Sequence, residues 1–141
     1  IRLLASAGDD RQSAGAEHRV AVRFDGEDLE SVAGLLGLSV GDFLRAHNVA
    51  PLRVLATGFA PGFIYCGLHP ETLVVPRRNV VRRQVPAGTV LFAAGQTAIT
   101  STAIPTGWHV LGHTGFRNFD PAAEPPTRVR AGDRVAFEAA P

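Results

Sequence analysis

Lysine and methionine are absent from the 141 residues, and cysteine occurs once. All fourteen basic residues are therefore Arg. That excludes a Schiff-base lysine, a lysine general base and a P-loop lysine within this chain. Without a Met, Ile1 reads as something other than a natural start. The single Cys66 cannot form an internal disulfide, which fits a reducing cytoplasm and a buried, inert thiol. No apolar run approaches the roughly 20 residues of a membrane span, and no signal peptide is visible. Charge of either sign is scarce in excess: the net formal charge is +1. A general binder of nucleic acid or of membrane surfaces needs a clear basic surplus, so neither is expected.

What is present points to many short strands. Residues 1–17 read as the end of an upstream domain followed by a polar linker, and residues 18–141 as one compact domain. His18 to Phe24 alternates, with Val20, Val22 and Phe24 on one side, as a half-buried strand does. Asp28 is placed to cap a short helix carrying Leu29, Val32, Ala33 and Leu36 inward. Ser39, with Asp42 three residues on, starts a second helix that ends near His47. Further strands are expected at Leu52–Thr57, Leu73–Val75, Arg83–Val85, Thr89–Ala93, Thr97–Thr100, Trp108–His113 and Arg134–Glu138. Seven or eight short strands with two early helices suggest a mainly β, closed barrel, which removes unpaired sheet edges.

Four stretches invite a chemical reading. The pairs Arg77-Arg78 and Arg82-Arg83 lie between Pro76 and Pro86, and can grip a carboxylate or phosphate in bidentate fashion or simply pair with carboxylates. The aromatic loop from Gly58 to Tyr65 has neither helical nor strand period and reads as a binding loop or as a hydrophobic plug. Gln96-Thr97 offers an amide and a hydroxyl after an apolar strand. His109 and His113 lie on one strand face but ~13 Å apart at ~3.3 Å per residue, too far for one metal. No metal site is expected. No serine lies in a nucleophile elbow, and no catalytic residue is singled out.

The ordered series Gly58-Phe59-x-Pro61-Gly62-Phe63-x-Tyr65, Pro76-Arg77-Arg78, Arg82, Val85-Pro86-Ala87-Gly88, Gln96-Thr97, Gly107-Trp108 and Phe119-Asp120-Pro121 resembles the C-terminal domain of the KipI family. That family also goes by the names of the B component of 5-oxoprolinase, allophanate hydrolase subunit 1, and carboxyltransferase domain, subdomain C and D. The resemblance implies a cyclophilin-like β-barrel and a preceding α/β domain. It implies a KipA-like partner, of the type of the C component of 5-oxoprolinase, in a cytoplasmic heteromer that hydrolyses a small amide or lactam. ATP would act through the complex, since no nucleotide motif occurs here. The alternatives it carries are a non-enzymatic inhibitor of a sensor histidine kinase and the carboxyltransferase part of a biotin-dependent urea carboxylase. Substrate-binding positions carried over are Gly62, Phe63, Tyr65, Arg77, Arg82, Gln96, Thr97, Trp108 and His47, with His113 standing where relatives have Arg. Val81, Ala98, Thr100, Ser101 and Thr106 also depart from the family pattern, so the small anionic substrate is not named by the resemblance.

Overall fold

The computed structural model describes residues 15–140. The expected end of an upstream element at Ile1 to Ala7 lies outside them. The order is β1 (Glu17–Val22), α1 (Leu29–Leu35), α2 (Val40–His47), β2 (Leu52–Thr57), β3 (Ile64–Gly67), β4 (Arg82–Val85), β5 (Thr89–Ala93), β6 (Gln96–Ile99), β7 (Ile104–Thr106), β8 (His109–His113) and β9 (Arg134–Ala139). Seven strands form one sheet in the order β1-β9-β2-β3-β6-β5-β8, while β4 and β7 pair as a separate two-stranded layer. The large sheet is strongly curled. Its two edges meet at one bridge beyond β1, where Arg23 and His113 exchange backbone hydrogen bonds of 2.9 and 3.0 Å. The mainly β architecture with two early helices is thus as the sequence implies.

The curl gives the sheet an inner and an outer face, and the strands record both. β1 alternates exposed and buried residues because only Val20 and Val22 face the core. Every residue of β5 is buried. Val90 and Phe92 join the inner core with Phe43, Ile64, Ile99, Leu111 and Phe137, whereas Leu91 packs outward with Phe63, Ala98, Ile104 and Val110. The β4–β7 layer supplies the outer cover. The hairpin from β5 to β6 turns through Ala94 (φ 52°) and Gly95 (φ 79°), the pair of positive φ values a two-residue turn needs to follow the sheet twist. First and last strands are neighbours: β1 and β9 run parallel through six paired positions.

Local expectations are corrected at four places. Leu73–Val75 is not a strand: Pro70 starts a short 3₁₀ turn at Glu71–Leu73, which still buries Leu73. Ile64–Gly67 is a strand instead of the tail of the aromatic loop, and Ile104–Thr106 is a strand despite Pro105. Asp28 precedes α1 but makes no side-chain cap. Ser39 does cap α2, accepting from the Asp42 N–H at 3.0 Å. Among the described residues no helix is long and apolar enough to cross a membrane.

Candidate functional site

A cavity of about 200 Å³ opens on the outer face, between the loop that leads into β3 and the turn between β7 and β8. Its wall is a run of aromatic rings. Phe59 lies 5.5 Å from Phe63, Phe63 lies 4.7 Å from Tyr65, and Tyr65 lies 6.1 Å from Trp108, centroid to centroid, in tilted or edge-on contacts. Such quadrupole-matched geometry holds rings in place without stacking them face to face. Leu91, Ile104 and Pro105 close the apolar side. Arg77 stands on the remaining side. Its loop is pinned by the Arg78 N–H donating to the Gly107 carbonyl at 2.7 Å, next to Trp108. Arg77 is exposed, and no carboxylate pairs with it among the described residues. A guanidinium beside an aromatic, partly enclosed wall suits one small carboxylate better than a chain of phosphates.

Gly62 sets this loop without lining the cavity. Its φ is +74°, and a Cβ there would fall 2.7 Å from the Phe119 Cβ and 2.8 Å from the Ser101 Cβ. Asn118, 1% exposed, secures the same region: its Oδ1 accepts from the N–H groups of Arg128 and Val129 at 2.9 and 2.8 Å.

Arg82 is elsewhere, and it is engaged. Its Nη1 and Nη2 donate to the two oxygens of Asp28 at 2.5 and 2.8 Å, and its Nε contacts Glu27 at 2.6 Å. Asp28 also accepts from the Val110 N–H at 2.7 Å. Burial pushes the Asp28 carboxyl up, but Arg82 and the Val110 N–H outweigh it and hold the group below the usual carboxylate range. Arg78 Nε also lies 3.9 Å from Asp28, so one Arg of each pair converges on this internal carboxylate, while Arg77 faces the cavity. The Arg82 group ties β4 to the chain ahead of α1 and to β8.

Of the remaining candidates, Thr97 and His47 face the other side of the sheet, His113 is at its seam, and Gln96 is on the outer face but outside the cavity lining. Thr97 pairs with Cys66 in register and faces inward, whereas Gln96, opposite Gly67, is on the outer face beside Leu55. His47, 1% exposed at the end of α2, reaches inward, so its Nε2 is 2.8 Å from Thr97 Oγ1. Rings of Phe24, Phe43, Phe92 and Phe137 surround it. Nothing in the sequence pattern singles out His69. It sits just after β3 with its Nε2 2.7 Å from the same Thr97 oxygen. Burial lowers His47 to about 4, and burial together with the neighbouring His47 lowers His69 to about 3, so both rings are neutral at pH 7. Burial pushes the nearby Cys66 thiol up to about 12, which leaves it inert. His113, at the seam, lies 2.8 Å from Asp25, and this hydrogen bond draws the Asp25 carboxyl down. His109 contacts the Pro76 carbonyl at 2.9 Å. Among the described residues no three His, Cys, Asp or Glu side chains gather to hold a metal.

The described residues thus form a curled sheet with a small aromatic-and-arginine cavity outside and a neutral imidazole pair inside. The family model described as "Carboxyltransferase domain, subdomain C and D" matches residues 1–129, and the chain belongs to that family. It is 43% identical over 112 residues to the B component of the 5-oxoprolinase of Escherichia coli O157:H7, covering 79% of this chain and 51% of the relative. The Bacillus subtilis (strain 168) protein of the same name is 38% identical over 112 residues, with 79% and 47% covered. This chain thus spans about half the length of the curated relatives it matches. Among solved structures, the conserved uncharacterized protein PH0987 of Pyrococcus horikoshii superposes with a TM-score of 0.84 at 36% identity, over 94% of this chain and 62% of that one.

Proposed function

We propose that this chain is a subunit of a 5-oxoprolinase-type hydrolase, and that its outer cavity takes the carboxylate of a small amide or lactam. The observation that carries the reading is Arg77, unpaired among the described residues, on an aromatic wall of about 200 Å³. The curated relatives, named as B components of 5-oxoprolinase, support the reaction class. Arg77 supplies charge and a planar fork, while Tyr65 and Trp108 exclude water and fix the ligand's apolar edge. The rest of the active site belongs to a KipA-like partner in a cytoplasmic heteromer, and ATP acts through the complex. The lone thiol and its burial suit that location. Phe59, Val80 and Val81 are 72%, 65% and 62% exposed, apolar surface of the kind that a partner subunit covers.

The full-length protein, assembled with the other subunits, is expected to convert 5-oxoproline to glutamate only with ATP. An Arg77→Ala complex should show a KM raised about tenfold or more, the worth of one charge-assisted contact. No turnover by the complete assembly, or an unchanged KM in the variant, overturns the reading. The same exposed apolar residues favour one second reading, an inhibitor that binds a sensor histidine kinase. That role requires stoichiometric kinase inhibition that is lost in Phe59→Asp and Val81→Asp variants.

A further inference from the structure

Two imidazoles share one hydroxyl, and the arithmetic of hydrogen-bond donors gives the set a direction. Thr97 Oγ1 owns a single proton and can donate it once. His47 Nδ1 lies 2.7 Å from the Asn48 Oδ1, an acceptor, so this nitrogen carries the ring's proton. A neutral His47 then has a bare Nε2, which accepts from Thr97 across 2.8 Å. The Thr97 oxygen in turn accepts from the Nε2–H of His69 across 2.7 Å. Neutral His69 is left with a bare Nδ1. No group among the described residues hydrogen-bonds that nitrogen, yet it is not a buried orphan. Among the described residues, the buried side-chain nitrogen or oxygen without a partner is Arg78 Nη1.

The surroundings say what such a lone pair suits. His69 is 6% exposed, and its backbone N–H is held by the Gly95 carbonyl at 2.9 Å, next to Gln96. Leu55, Leu68 and Val74 are exposed around this point, with Leu55 against Gly67 and Val74 against Gly95. The charged groups Glu71 and Arg53 are on neighbouring segments, and neither hydrogen-bonds either ring. We infer that His69 Nδ1 is a ligand-contact point, an acceptor aligned by Thr97 and His47 for the N–H of an uncharged amide or lactam group. In its ligand class this rests on the proposed function; in its geometry it does not. The alternative role of general base is poorly served. A ring titrating at about 3 holds a proton in about one molecule in ten thousand at pH 7.

Long-range nitrogen–proton NMR of the histidines in the full-length protein tests the geometry. His69 should carry its proton on Nε2 and His47 on Nδ1, with neither ring titrating between pH 8 and pH 5. A proton on His69 Nδ1, or titration near 6.5, overturns the inference. Pyrrolidinone, a neutral lactam, should shift the His69 Nδ1 resonance in proportion to its occupancy; no shift at saturating probe overturns it too. In the full-length protein His69→Asn, whose carbonyl can stand in for Nδ1, should keep the affinity for pyrrolidinone within about threefold of wild type, and His69→Phe should weaken it by about tenfold or more. Wild-type pyrrolidinone affinity in a folded His69→Phe protein sinks the idea. An assembly that never turns over 5-oxoproline sinks the proposed function instead, and leaves the NMR and lactam measurements to decide this one.

Discussion

Arg77 and Arg82 are five positions apart, and replacing each by Ala should produce opposite outcomes. Arg82 is 20% exposed and Asp28 12%, and the two share hydrogen bonds of 2.5 and 2.8 Å. Hydrogen bonds to charged groups are worth about 1.5–3 kcal/mol net, and breaking a fully buried pair costs about 3–5 kcal/mol. This pair touches solvent, and Asp28 keeps the Val110 N–H, so the lower range applies. The contact with Glu27, which is 64% exposed, adds about 0–1 kcal/mol. Arg82→Ala should therefore lose about 2–3 kcal/mol. With a urea slope of about 2 kcal/mol per molar, the unfolding midpoint falls by about 1–1.5 M. Arg77→Ala removes an exposed group and should leave the midpoint within the equivalent of about 0.5 kcal/mol. The kinetic effects reverse. Arg77→Ala should raise KM in the assembled enzyme, and Arg82→Ala, assayed well below its unfolding midpoint, should leave KM near wild type. Urea titrations of both full-length variants beside their KM values settle the matter. If Arg82→Ala unfolds with wild-type urea while its KM climbs, the division between a structural and a ligand-facing Arg is refuted.

Acid should weaken the fold through the imidazole pair. Both histidines titrate lower in the folded state than the ordinary 6.5, so between pH 6.5 and about 4 the unfolded chain binds more protons, and stability falls as pH falls. The slope reaches at most about 1.4 kcal/mol per pH unit for each ring. Urea midpoints across that window should drop steeply, and a His47→Gln/His69→Gln double variant should flatten the curve. Asp28 adds a second loss at lower pH: its folded value is depressed, so its contribution is present above 3.8 and disappears as pH falls through the folded value. Asn118→Ala strands two backbone N–H groups and should cost about 2–4 kcal/mol, read as a lower melting temperature. Gly62→Ala should destabilise the aromatic loop more than Gly58→Ala, because open space surrounds Gly58 while Phe119 and Ser101 crowd Gly62. Equal melting temperatures would contradict this.

Much of the architecture follows from local pattern. The unbroken apolar run at Thr89–Ala93 marks a strand covered on both faces, and Ser39 with Asp42 marks the start of α2. The aromatic-plus-Arg77 cavity is legible as separate pieces because the loop carries so many rings in so few residues. Other features have no local signature. β7 contains Pro105, which argues against a strand until its position in a two-stranded edge layer is known. The role of Asp28 depends on Arg82, fifty-four positions later, so a capping preference is the nearer explanation in sequence. His69 meets Thr97 across twenty-eight positions and His47 through the sheet interior. Only the register of β3 on β6 brings them together. Strand parity also separates residues adjacent in sequence: Gln96 and Thr97 belong to different faces and so to different chemistry.

The parallel pairing of β1 with β9 has a consequence for biosynthesis. β1 leaves the ribosome before the other described strands and is completed by β9, which also flanks β2. Until Arg134–Ala139 has emerged, Val20 and Val22 lack their neighbour, and the curled sheet has a gap where β9 belongs. Non-local pairing of this kind delays closure until β9 has been made and leaves apolar strand surface open for that interval. Ribosome-bound chains that stop short of Arg134 should remain protease-sensitive, and those extended past Ala139 and its tunnel allowance should become resistant. Resistance gained before β9 appears would show that the remaining strands close without it.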